Sequence, residues 1–146
     1  TQMFNLRRVT EGGQQMIPRF RAWDKKTETI QEIESISFKE KKLVIDQKSV
    51  TWFNSDYIRN SDEVELMQST GLKDKNGVEI FEGDLVEHDD NLNGDWETFE
   101  ACEVVYDKDY AQFCFKWDAG NFLTDYRNLN VIGNIYENSE LLEEQR

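Results

Sequence analysis

The chain of 146 residues holds one proline, one histidine and two cysteines. Each scarcity excludes something. His88 has no second imidazole to assist it as a base, and together with Cys102 and Cys114 it makes three soft ligands where a structural zinc site takes four. Two thiols cannot build a disulfide scaffold, so a packed core must hold the fold. No apolar run reaches the length of a membrane span, and no basic start followed by an apolar stretch marks a secretory signal. A glycine-rich phosphate loop and a nucleophile elbow are also missing. The sequence therefore assigns no catalytic residue, no cofactor and no metal ligand.

What is present suits a modest β protein. The 12% aromatic content includes Trp23, Trp52, Trp96 and Trp117, large side chains for one compact domain or two small β modules. Charge is uneven. Residues 16–75 carry eleven basic and eleven acidic side chains, whereas residues 76–146 carry four basic and eighteen acidic ones. Such an acidic half repels phosphate and attracts basic protein surfaces, although acidity also serves solubility alone.

The stretch Leu66 to Val86, LMQSTGLKDKNGVEIFEGDLV, carries the densest turn signals. Asn76-Gly77 suits a type I′ hairpin turn with positive φ at both central residues, and Gly83-Asp84 offers a second permissive turn before a strand at Leu85 and Val86. With Phe20 to Asp24 (FRAWD) as an opening strand and Val131 to Asn138 (VIGNIYEN) as a close, this stretch resembles the YopX-type phage proteins from Met16 to about Leu142. The resemblance implies a mainly β protein encoded by a phage or prophage, and the lack of a membrane span and of a signal makes the bacterial host cytoplasm the expected location. It brings no functional residue with it.

Thr1 to Gln15 is polar, aperiodic and precedes Met16, and its Glu-Gly-Gly is what a purine-rich ribosome-binding site encodes. Residues 1–15 are therefore expected to be a leader or an artificial extension. The remaining division is 16–75 as an N-terminal β region, 76–137 as an acidic β-barrel region and 138–146 as a short helix and tail. In the first region, Ile36 to Phe38 and Leu43 to Ile45 form a hairpin around Lys39 to Lys42. Ile30, Ile33 and Ile36 read as strand despite a spacing of three. Trp52-Phe53 is expected to pack on this sheet, and a helical turn capped by Ser61 precedes a strand toward Met67.

From Gly83 onward the order of strand, long polar loop, hairpin, strand at Phe122-Leu123 and strand at Val131 to Tyr136 suggests a small barrel of the Src-homology-3 kind. In the hairpin, Cys102, Val104 and Tyr106 alternate, as do Phe113, Phe115 and Trp117. A two-residue turn at Lys108-Asp109 pairs Val104 with Phe113, Cys102 with Phe115 and Glu103 with Cys114. The two cysteines then face opposite sides and stay free thiols. Asn138 or Ser139 caps a short terminal helix carrying Glu140, Leu141 and Leu142.

One motif points to a cation. Asp89, Asn91, Asn93, Gly94 and Glu100 match the calcium-loop pattern D-x-[DN]-x-[DN]-G-x5-E, with Trp96 in its apolar slot. No helix precedes them, however, and an exposed barrel loop explains the same residues. His88, beside Asp89 and Asp90, reads as a surface residue rather than a base. The favoured expectation is a noncatalytic accessory protein whose acidic, aromatic half binds a protein of the host or phage. Two alternatives stand beside it. A calcium-binding or metal-dependent enzyme would use Asp89 to Glu100, and a nucleic-acid binder would gather Arg19, Arg21, Lys25, Lys26, Lys39, Lys41, Lys42 and Lys48 on one face.

Overall fold

A computed structural model describes residues 18–45, 57–118 and 120–143. Two antiparallel sheets dominate it, as a mainly β sequence requires. The first contains β1 (Phe20–Asp24), β2 (Thr29–Ser37), β3 (Lys42–Ile45), β4 (Ile58–Asn60), β5 (Val64–Lys73) and β6 (Glu79–Phe81), in the spatial order β4-β3-β2-β1-β5-β6. The second contains β7 (Asp84–Leu92), β8 (Asp95–Asp107), β9 (Gln112–Phe115) and β10 (Arg127–Asn134), in the order β10-β7-β8-β9. A short helix, α1 (Ser139–Glu143), follows. Pairings among the described residues stop short of closing a ring, and a 3-10 turn at Leu123–Asp125 leads into the last strand.

The first sheet forms around Ala22, Leu43, Ile45, Tyr57 and Val64. Its isoleucines tolerate their spacing of three because the β2–β3 register shifts between Ile33 and Ser35, as a bulge allows. Buried charge is paired here. Arg59 Nε and Nη2 donate to the Asp24 carboxylate at 2.9 and 3.0 Å, and the Thr27 hydroxyl adds a third bond at 2.7 Å.

The second core comprises Ile80, Val86, Val104, Phe115, Leu123 and Tyr126. Ile80 comes from β6, so the two sheets share it. Arg21 of β1 pairs with buried Asp84 of β7 while its guanidinium lies 4.4 Å above the Phe81 ring. Trp23 stacks on Tyr136 at 5.7 Å. The crossing point is Gly83, where φ is +88° and the backbone N–H and C=O bond Val104 and Ile135.

Several local expectations change. Asn76 lacks the positive φ that a type I′ turn demands; Gly77 alone has it, at +82°. Asp74 instead organises the β5–β6 turn, its carboxylate accepting from the backbone N–H groups of Asn76, Val78 and Val131. The type I′ signature sits at Asn93-Gly94, with φ of +55° and +91°. Those two residues join β7 directly to β8, so the expected polar loop is a long hairpin, with Leu92 paired to Asp95.

Other corrections concern register and caps. Val104 pairs with Phe115, Val105 with Cys114 and Tyr106 with Phe113, a slip of two from the tight turn, because residues 108–111 all turn. A slip of two preserves faces; Cys102 and Cys114 remain apart and free. Phe122-Leu123 is no strand but the entry to the 3-10 turn. Asn60, rather than Ser61, precedes the turn before β5, and its backbone N–H donates to Glu63 at 2.8 Å. Residues 1–15 and Trp52-Phe53 lie outside the described residues.

Candidate binding cavity at His88

His88 is not on the surface. The strand alternation that buries Val86 continues to His88, which is only 5% exposed. A bulge on β8 does the rest. Val86 pairs with Cys102 but His88 with Phe99, so β8 spends an extra residue near Ala101, whose φ is +53°. The extra residue turns Phe99 onto the face of His88.

The imidazole then meets three rings. It stacks on Phe115 at 4.2 Å and on Phe99 at 5.6 Å, and takes the edge of Tyr126 at 4.6 Å. Burial lowers its pKa below 6.5, against the Val86 carbonyl and the charges of Asp90, Asp118 and Asp89. It is therefore neutral at neutral pH. Its Nδ1 is buried without a hydrogen-bond partner.

Above these rings lies a cavity of about 660 Å³. Phe99, Phe115 and Trp117 supply aromatic surface, and Asp90, Glu100 and Asp118 supply carboxylates. Trp117 is 85% exposed. The Asp118 carboxylate is fixed by the Tyr126 hydroxyl and by Asn121 Nδ2 at 2.8 Å. Burial, then Asp118, raises the Tyr126 pKa, so that hydroxyl stays protonated. Cys102 also lines the cavity, but burial raises its pKa and its thiol donates to the Glu100 carbonyl at 3.8 Å. A thiol held un-ionised is a poor nucleophile.

The calcium-pattern residues do not wrap a common centre. Asp89, Asn91 and Glu100 are spread along the hairpin strands, and Asp89 accepts from Thr98 Oγ1 and Asn128 Nδ2 at 2.7 Å each. Those two bonds hold the Asp89 pKa below its usual value. Among the described residues no group of three or more His, Cys, Asp or Glu is arranged to hold a metal.

Several basic residues of the first half are held in ion pairs. Arg19 pairs with Glu79 at 2.7 Å, Lys25 with Glu65 at 3.1 Å, and Arg21 with buried Asp84. Lys39, Lys41 and Lys42 are exposed around the β2–β3 turn, while Lys48 lies outside the described residues.

Comparison with known proteins gives the family. A family model described as YopX protein matches residues 19–143. The chain belongs to the YopX family. The YopX chain is also similar to a solved structure, protein EF1440 from Enterococcus faecalis. The two are 30% identical, with a TM-score of 0.62 over 88% of this chain and 99% of the other. Among curated proteins none matches.

In the YopX chain the family-like residues serve turns. Asn134 Oδ1 accepts from the N–H groups of Tyr136 and Glu137, at 3.0 and 2.8 Å. Asn138 Oδ1 accepts from Asn134 N–H at 3.1 Å and presses so close to Gly133 that a Cβ there would meet its side chain. The sequence does not announce the cavity, because the Asp/Asn/Gly-rich stretch after His88 reads as loop. Alternation continued from Val86 through His88, with Asn93-Gly94 taken as the hairpin turn, is the signal that finds it.

Proposed function

We propose that this YopX protein is a noncatalytic, phage-encoded accessory protein that binds a protein of the host or phage in the host cytoplasm. The second sheet is the binding half. The observation that carries the reading is the His88 cavity, where aromatic walls and carboxylates share one opening. Binding surfaces use rigid aromatic side chains for contact area and complementary charge for encounter. Trp96, Tyr106, Tyr110 and Phe122 add exposed rings on the same half. Residues 76–146, which contain this sheet, carry four basic and eighteen acidic side chains, a balance that attracts a basic partner and repels phosphate.

The test is affinity for a captured host or phage protein, measured with Asp90→Asn, Glu100→Gln and Asp118→Asn, the three cavity carboxylates, combined. Rim charges act on association rate and salt dependence. The triple variant is expected to bind about tenfold more weakly at low salt, with a flatter dependence on ionic strength. Unchanged affinity for every captured protein would sink the proposal.

A further inference from the structure

Resting on that reading, we infer that the His88 cavity receives an arginine side chain of the partner polypeptide. Three observations converge. The cavity is walled by Phe99, Phe115 and Trp117 and bordered by the carboxylates of Asp90, Glu100 and Asp118. Among the described residues that line it there is no lysine or arginine; Lys116 lies 5.7 Å over the Trp117 ring and 3.8 Å from Glu103. At the base, His88 is buried with an unpaired Nδ1, a polar atom that gains from a ligand-borne partner.

A guanidinium fits this chemistry better than an ammonium. It is planar and weakly hydrated, stacks on aromatic faces, and offers a fork of N–H donors to carboxylates. The molecule uses the same combination internally. Arg21 lies 4.4 Å above Phe81 while bonded to Asp84, and Arg127 lies 3.2 Å above Trp96. In the cavity the rings stand beside the carboxylates of Asp90 and Asp118, and the partner's arginine supplies the cation.

Two blocked amino acids test the assignment by amide NMR: N-acetyl-arginine methylamide and its lysine counterpart. The arginine probe is expected to shift the resonances of Thr98, Phe99 and Trp117 saturably at millimolar concentration. The lysine probe should bind at least about threefold more weakly, given the stacking advantage of the guanidinium. Trp117→Ala, at an exposed site, should weaken the arginine probe by about two- to fivefold without changing Tm. Equal affinity for the two probes would overturn the arginine assignment and leave the protein-binding reading standing. Arginine shifts that fall elsewhere, or none, would overturn it as well. Unchanged partner affinity in the charge-neutralised triple variant is a separate failure, that of the underlying reading.

Discussion

The His88 imidazole lies 4.2 Å from the Phe115 ring and within 13° of parallel to it. That contact explains both the burial of the chain's single histidine and the floor of the cavity. It also sets a pH dependence.

His88 has its pKa lowered in the folded state by burial. As pH falls, the unfolded chain takes a proton first. The stability tied to His88 is therefore complete above about pH 6.5 and is lost as pH falls below that, through the depressed folded value. Urea unfolding at about pH 7.5 and 5.5 should show a smaller loss for His88→Phe than for the wild type. At neutral pH the variant should be as stable or more so, since it removes an unpaired buried nitrogen. Parallel pH curves would refute the assignment.

Asp24 and Arg59 form the buried ion pair of the first sheet. Burial alone would raise the Asp24 pKa, yet Arg59, Thr27 and the Lys26 N–H together hold it below its usual value. Arg59→Met should strand the carboxylate and destabilise the protein by about 3–5 kcal/mol, measured by denaturant unfolding. In the wild type, the stability from this carboxylate is present above its unfolded pKa and is lost as pH falls through the lower folded one.

Glycine positions should separate by surroundings. Gly94 has φ +91° with open space around a notional Cβ, so Gly94→Ala should cost only about 1–2 kcal/mol, the left-handed backbone penalty. At Gly83, φ +88° is combined with Met67 Cε 3.0 Å from the Cβ position. Gly83→Ala should cost more. Equal losses of Tm would contradict the close approach.

Gly133→Ala would drive its Cβ into Asn138, 2.9 Å from that residue's Cβ and closer still to its amide. A loss of about 1–3 kcal/mol is expected. Adding Asn138→Ala should give less than the sum of the two single losses, because the overlap with the Asn138 amide is removed while only its Cβ remains. Strict additivity in a double-mutant cycle would argue against the contact.

Much of the fold was legible because strand patterns are local. Phe20 to Trp23, the β2–β3 hairpin and the Gly83 turn follow from alternation and turn chemistry. Opposite faces for Cys102 and Cys114 survived a misread register because the slip was two residues. Distant constraints were less readable. Nothing in Asn76-Gly77 announces that Asp74 will cap the turn and bind Val131, fifty-seven residues away. The bulge at Ala101 has no glycine to mark it, so the turn of Phe99 onto His88 was invisible. The cavity depends on that bulge and on Tyr126, which arrives from another element.

Trp117 is the residue on which the binding reading stands or falls. It is 85% exposed at the cavity, so Trp117→Ala leaves the core intact, and aromatic anchors dominate interface energetics. Affinity of the purified variant for the captured partner, by calorimetry, should fall by about thirtyfold with Tm unchanged. A dissociation constant indistinguishable from that of the wild-type protein would contradict the cavity as the binding site.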